Sequence, residues 1–553
     1  MKLIKLNLSY IVFLLVIAIG FTSCQEDDIL EHAQKKSEQI EENSDPAISS
    51  TSKKGKSNQE THTASSTVRV LVNGNPLTWP NNRANPVNVN GRVMVHMNTI
   101  FTRLGYSVQW IQNDPNRGNL SSVVATKPGR TIQIWVGDTW AKVNGSWKQA
   151  AVAPYNNNGY VMVHSRFVAE NSGSRTDWDQ QTTSVQIYYY DEPDYGFYFF
   201  GSQPGSNPTA DAVGCQKFVP GVANPFFDPT KPTIIYVHGN APNAVQSQSR
   251  EDFLLDEGGL NVQSHNIWKA QGWNVAIFYW IQFADEGNNI PPYKVEKKIY
   301  TANSEVGMRW KGSNGNMYVS QAIQRPVKDL FAEEYRKIFT SSYSGAEIRV
   351  VGNSLGGNLT MAGLLEVYRR NSPRLPSRIT LMDPFWTAIQ STGSPQNSWY
   401  ISGFDENVTN SADYGGLSAE IYAARGTAIE YFRTSLLGAN GLSARAGRAS
   451  AVCHFGIDFL GSNPTNQVRK HTIPVRQYFH SRGVAAPLEV SRPNILTSWS
   501  PTGNQAMSAA TPNSRIRQMM VPNTHWNQLG GNDGGRGTAT MADDRYHTRL
   551  GLW

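Results

Sequence analysis

The sequence predicts an α/β protein with a mostly parallel central sheet, preceded by a small α+β module that repeats internally. Three observations carry this. From about residue 195 onward, short apolar runs rich in β-branched residues alternate with longer helical stretches. One run, Ile348–Val351, leads directly into Gly352-Asn353-Ser354-Leu355-Gly356 and then a helical segment. Upstream, Asn90–His96 (NGRVMVH) recurs as Asn158–His164 (NGYVMVH).

At 553 residues the chain suits two or three domains. Charged residues are only 17% and aromatics 11%, a balance that suits an extracellular, β- and loop-rich protein better than a helical cytosolic one. The formal charge of +7 is spread out, with no dense basic block beyond Lys53–Lys56. That argues against nucleic acid as a partner and leaves a mild preference for anionic surfaces.

Residues 1–24 read as a targeting segment. Lys2 and Lys5 precede the apolar run Tyr10–Phe21, too short for a comfortable membrane span, and the run ends in Phe21-Thr22-Ser23-Cys24. This resembles a bacterial lipobox, although Phe21 stands where Leu is usual. The resemblance implies that Cys24 is acylated and that the protein is a lipoprotein of the outer membrane or cell surface. The acidic Gln25–Asp28 resembles surface-export signals of Bacteroidetes-type lipoproteins. With Cys24 set aside, Cys215 and Cys453 either pair or remain two free buried thiols. Residues 25–66 are polar and nearly free of aromatics, and are expected to form a disordered tether.

Residues 67–191 form the repeat module. Gly105 and Trp110 recur as Gly173 and Trp178, and Leu71–Gly74 is echoed by Lys142–Gly145. Each unit reads as an Asn-Gly hairpin, a short helix (Met97–Leu104; Ser165–Asn171) and a strand ending at Trp. The pattern resembles the copper amine oxidase N-terminal-like domain, which implies an accessory module without copper chemistry. His96 and His164 fall at equivalent repeat positions, which favours packing over metal binding.

Residues 192–553 are expected to hold the chemistry. Thr233–Val237, Asn274–Tyr279, Ile348–Val351 and Ile379–Met382 read as buried parallel strands, and Asn358–Tyr368 as a helix. G-x-S-x-G between strand and helix is the setting of an α/β-hydrolase nucleophile elbow, with Ser354 at the helix N-terminus. His238-Gly239-Asn240 follows an early strand, so the backbone N–H groups of Asn240 and Leu355 are the expected oxyanion donors and His238 a structural loop residue. A serine nucleophile needs a base, and the base an orienting carboxylate. Asp383 ends a strand and precedes Pro384, so it reads as the acid or as a turn-forming Asp-Pro. The downstream histidines are His454, His471, His480, His525 and His547. On position alone His525 is favoured as base, since Met519–Pro522 reads as a late strand before it.

The stretch from Ile234 to about His480 resembles the pancreatic-type lipase and phospholipase A1 family. Val237-His238-Gly239 is similar to its oxyanion strand. Trp273–Trp280 is similar to its N-V-x-x-V-D-W, with Tyr279 in place of Asp. Tyr300–Gly307 is similar to its following helix, and Asn353 stands where the family usually has His. Leu381–Pro384, Tyr431–Gly438, Gly456–Phe459 and the segment around His471 agree in order. The resemblance implies Asp383 as acid and His471 as base. It also implies a lipid ester as substrate and no cofactor. The family's disulfide framework is missing from the sequence, and the tail from about residue 482 has no match. Gln282–Pro292 and Thr387–Gly415 are candidate lids. Three functions remain: a lipid-ester hydrolase, an esterase on a non-lipid polymer ester held by the accessory module, and a surface binding protein on a hydrolase scaffold.

Overall fold

A computed structural model of the chain describes residues 68–202, 214–286, 293–302, 308–319, 323–387, 408, 410–435, 443–455, 464–494, 496–529 and 540–550. Cys24, the tether, the segment Gly456–Phe459 and most of both candidate lids lie outside the described residues. The compact units divide between Asp194 and Tyr195.

In the C-terminal unit the sheet strands are β1 (Gly196–Phe200), β2 (Cys215–Lys217), β3 (Thr233–Val237), β4 (Asn274–Tyr279), β5 (Ile348–Asn353), β6 (Arg378–Met382), β7 (Ala428–Arg433), β8 (Ala451–His454), β9 (Leu488–Ser491), β10 (Ser500–Gln505), β11 (Thr524–Gln528) and β12 (Arg545–Leu550). They form one twelve-stranded sheet in the order β2-β1-β4-β3-β5-β6-β7-β8-β11-β12-β9-β10. From β4 to β11 every neighbour is parallel. β3 to β7 are buried along nearly their whole length, which is why the stretches of β3 to β6 singled out in the sequence are largely apolar. Antiparallel strands close both flanks. The exposed outer strand β10, Ser-Pro-Thr-Gly-Asn-Gln, carries a proline and a glycine that discourage further pairing.

Helices α1 (Val327–Ile338), α2 (Leu355–Arg369) and α3 (Ser411–Ala424) share one core with the inner strands. On the other face, α4 (Pro464–His480) packs Tyr478 against Phe432. The fully buried Arg378–Glu430 pair, at 2.5 Å, joins β6 to β7. Arg378 also donates to the carbonyls of Ser508 and Thr511, and Thr380 and Tyr478 donate to Glu430. Every charge in this cluster has a partner, as buried charges require. The tail, which matched nothing in the family resemblance, thus supplies strands and anchors to the same domain.

Cys215 and Cys453 are buried and in no disulfide, on β2 at one edge of the sheet and on β8 seven strands away. Of the two alternatives, pairing is excluded: strands lie about 4.8 Å apart, and a disulfide spans far less than that separation.

The N-terminal unit comprises a five-stranded and two four-stranded sheets around its own core. Its Asn-Gly turns have positive φ at both residues, 48° and 75° at Asn73-Gly74 and 50° and 94° at Asn158-Gly159, the geometry of tight hairpin turns. The repeated strands Arg92–His96 and Tyr160–His164 pair with each other, Val95 opposite Val163. Each feeds a seven-residue helix, Met97–Arg103 and Ser165–Asn171. His96 bonds Thr99 at 2.8 Å and meets the Tyr160 ring edge-on. His164 is buried, and burial pushes its imidazole down to about 4. The strand past Trp110 continues to Asp114, whose carboxylate accepts from Ser122, Gln133 and Trp135.

Candidate active site

β5 delivers Gly352-Asn353 to a turn at Ser354, and α2 begins at the next residue. Ser354 has φ 55° and ψ −129°, a conformation that an L-residue adopts only where its surroundings force it. The glycines show the cause. A Cβ on Gly352 would stand 2.4 Å from Thr360 Oγ1, and one on Gly356 2.1 Å from the Val237 carbonyl oxygen. The elbow helix therefore presses against β3 with no room for side chains. This is also why α2 starts three residues before the expected Asn358: the glycines form its first turn.

The loop after β3 lies against the serine. A Cβ on Gly239 would meet Ser354 Cβ at 2.8 Å and Oγ at 3.3 Å. Among the described residues, the amide N–H groups of Asn240 and Leu355 have no hydrogen-bond acceptor. His238 is buried and sets the loop's shape. Its Nε2 accepts from the Trp280 N–H at 3.1 Å, so its Nδ1 carries the proton and donates to the Gly239 carbonyl at 2.9 Å. Burial pushes this imidazole down to about 4, which keeps the neutral tautomer in place. Further along, Asp285 accepts from the Asn243 and Val245 N–H groups at 2.7 and 2.9 Å.

Asp383 leaves the end of β6, next to the elbow strand, with φ 44°. Its carboxylate is 1% exposed and accepts from His471 Nδ1 at 2.6 Å. The Thr434 N–H donates to its other oxygen at 3.2 Å, and the Ser435 hydroxyl adds a bond to the first. His471, 14% exposed, sits inside α4, one turn before Pro474. With Nδ1 engaged by the carboxylate, Nε2 is the ring nitrogen left for a substrate-side proton. Asn353 links the parts: its side-chain amide donates at 2.9 Å to both the Met382 and the His471 carbonyl oxygens. Beneath the elbow, the buried Glu296 accepts from Asn358 at 2.7 Å and from the Thr387 N–H at 2.9 Å. It thereby clamps the segment after Asp383 to α2.

His525 lies elsewhere. It sits on β11, in register with Val452, Tyr431, Leu381 and Gly352 across four strand steps. Those steps amount to roughly 19 Å from the elbow strand. His525 instead packs on His454, with ring centroids 4.8 Å apart. The structure thus brings Ser354, Asp383, His471, Asn240 and Leu355 to one sheet edge and leaves His525 away from them. Sequence reasoning gave no role to Asn353, Thr434 or Ser435: Asn353 is the variable position of the elbow motif, and Thr434 and Ser435 follow the end of β7. Among the described residues, no group of three His, Cys, Asp or Glu side chains is arranged to hold a metal. No described helix is long and apolar enough to cross a membrane.

Residues 71–187 match the family model of the Copper amine oxidase N-terminal domain. No curated protein matches the chain. Among solved structures, it is similar to a Pyrobaculum calidifontis esterase at 14% identity, with TM-score 0.20, over 46% of this chain and 78% of that one. A Pyrococcus horikoshii acylaminoacyl peptidase is similar at 11% identity, with TM-score 0.23, over 70% of this chain and 57% of that one. Carboxyl esterase 2 from Tuber melanosporum is similar at 13% identity, with TM-score 0.21, over 55% of this chain and 89% of that one.

Proposed function

We propose that residues 192–553 are an α/β-hydrolase acting as a serine carboxylic-ester hydrolase, with Ser354 as nucleophile, His471 as base and Asp383 as acid. The observation that carries this reading is the 2.6 Å His471–Asp383 bond at the sheet edge where Ser354 stands in its strained turn. His471 Nε2 takes the hydroxyl proton as Ser354 Oγ attacks the ester carbonyl. The buried carboxylate, itself held by Thr434 and Ser435, stabilises the imidazolium. The Asn240 and Leu355 N–H groups receive the oxyanion, a contribution of about 3 kcal/mol for each such donor in comparable sites. His471 then protonates the leaving alcohol, and water attacks the acyl-enzyme by the reverse route.

The family resemblance makes lipid esters the first substrate class to examine. A polymer ester is the second reading, favoured by a separately folded module on the same chain. Acylation of Cys24 and a cell-surface location belong to the same proposal. A chain-length series of p-nitrophenyl esters, with and without emulsified lipid, tests the reading. Wild type should turn over the soluble members, and His471→Ala should be slower by several orders of magnitude, as when a triad member is removed. Equal rates in a folded His471→Ala variant would overturn it.

A further inference from the structure

Beyond Asp383, along the same C-terminal edge of the sheet, one face of β7, β8, β11 and β12 carries a row of cationic and imidazole side chains. Arg433 lies opposite His454, and His454 opposite Asn527. Asn527 lies opposite His547, and His525 opposite Arg549. Paired residues on neighbouring strands share a face, so all six project to one side. The His454 and His525 rings touch, at 4.8 Å between centroids. His525 is 8% exposed, and its Nδ1 is buried without a hydrogen-bond partner, as are His454 Nε2 and Asn527 Oδ1. Burial, with Arg433 and Arg549 close by, pushes both imidazoles down.

Two adjacent imidazoles, each with a buried ring nitrogen whose bond is unmade, cost about 1–3 kcal/mol each. Native proteins leave few such groups, and those that remain call for a ligand or a role. Neutral imidazoles can present N–H donors, and Arg433 and Arg549 add positive charge without repelling an anion. The open end of parallel strands is where ligands of α/β sheets bind.

We propose that this row is an anion-binding subsite for a carboxylate or sulfate group of an acidic polymer. Its distance from the serine selects the polymer. β8 and β11 are three and four strand steps from β5, roughly 14–19 Å. A glycerophospholipid carries its phosphate only a few bonds from its ester carbons, so its headgroup would fall short of the row. A chain molecule bearing repeated acidic groups spans the gap. The subsite is independent of the serine chemistry; only its assignment to the substrate rests on the hydrolase reading.

Calorimetric titration of the full chain with a short oligogalacturonate and with inorganic sulfate tests this without any turnover. The oligomer should bind, and binding should weaken steeply by about 0.5 M salt. Arg549→Gln, an exposed position, and His454→Gln should each weaken it by about tenfold, the loss expected for one charge-assisted hydrogen bond. Turnover of p-nitrophenyl acetate should be unchanged in both. Equal oligomer affinity in wild type and variants would overturn the site. Binding of sulfate without the oligomer, or tighter binding of a neutral oligosaccharide, would overturn the acidic-polymer assignment. Each of these results leaves the serine reading standing.

Discussion

Asn353 offers the sharpest test of how the elbow is coupled to the base. Its amide is 4% exposed and holds the Met382 and His471 carbonyls at 2.9 Å each. Asn353→Ala removes both bonds. At about 1 kcal/mol net per bond, with partial desolvation of the two carbonyls, the loss of stability is about 2–3 kcal/mol. The larger effect should be on rate. With its backbone released, His471 shifts relative to Ser354, and a misplacement of about 1 Å costs on the order of 100-fold. KM for a small soluble ester should barely move, because the Asn353 side chain is buried and its amide is engaged by backbone carbonyls. Asn353→Asp keeps the shape but sets a carboxylate against two carbonyl oxygens, so it should be worse at neutral pH and recover partly in acid as the carboxyl protonates. Urea unfolding and p-nitrophenyl butyrate kinetics read these effects. Unchanged kcat in a folded Asn353→Ala variant would refute the coupling.

Other outcomes follow from the same geometry. Asp383→Asn removes the acceptor that fixes the His471 tautomer and should lower kcat about 10⁴-fold with the fold retained; His525→Gln should leave the turnover of a small neutral ester within a few fold. The fully buried His238 and His265 are both pushed down to about 4 by burial. Their unfolded forms titrate near 6.5, so the unfolded chain binds more protons between those values. Stability is complete above about pH 6.5 and falls as pH drops towards 4, by about 3 kcal/mol per histidine; urea midpoints that stay flat from pH 7 to 4.5 would contradict this. Cys24→Ser should move the protein from the membrane to the soluble fraction, and unchanged fractionation would mean a different anchor. Deleting residues 67–190 should spare activity on soluble esters, and its loss in a folded truncation would show that the module helps build the site.

Much of the inner sheet was legible because β3 to β6 are buried on both faces, which makes each largely apolar and bounded by turn residues; β7, with Glu430 buried at its centre, shows no such run. The elbow was legible because α2 packs so tightly on β5 at Gly352 and on the end of β3 at Gly356 that both positions admit only glycine. The outer strands were not. β10 is exposed along its whole length and β12 is mostly polar, so neither shows the alternation that marks a half-buried strand. The histidine that meets Asp383 was the hardest residue to find. Position in the chain pointed to His525, but that residue lies within strand β11, whereas His471 reaches Asp383 from within a helix. Helix α4 hides this in sequence, because Pro474 suggests a later start. Nothing in the order of residues shows that Asn353 reaches across to His471, since that contact exists only once α4 has packed beside β5 and β6.

The central claim is that Ser354 is an activated nucleophile. The most direct measurement is mass spectrometry of the intact protein and its elbow peptide after exposure to a fluorophosphonate. The account predicts one phosphonyl adduct, located on Ser354, and none on Ser354→Ala; an adduct that persists in Ser354→Ala, or a folded wild type that never reacts, would contradict it.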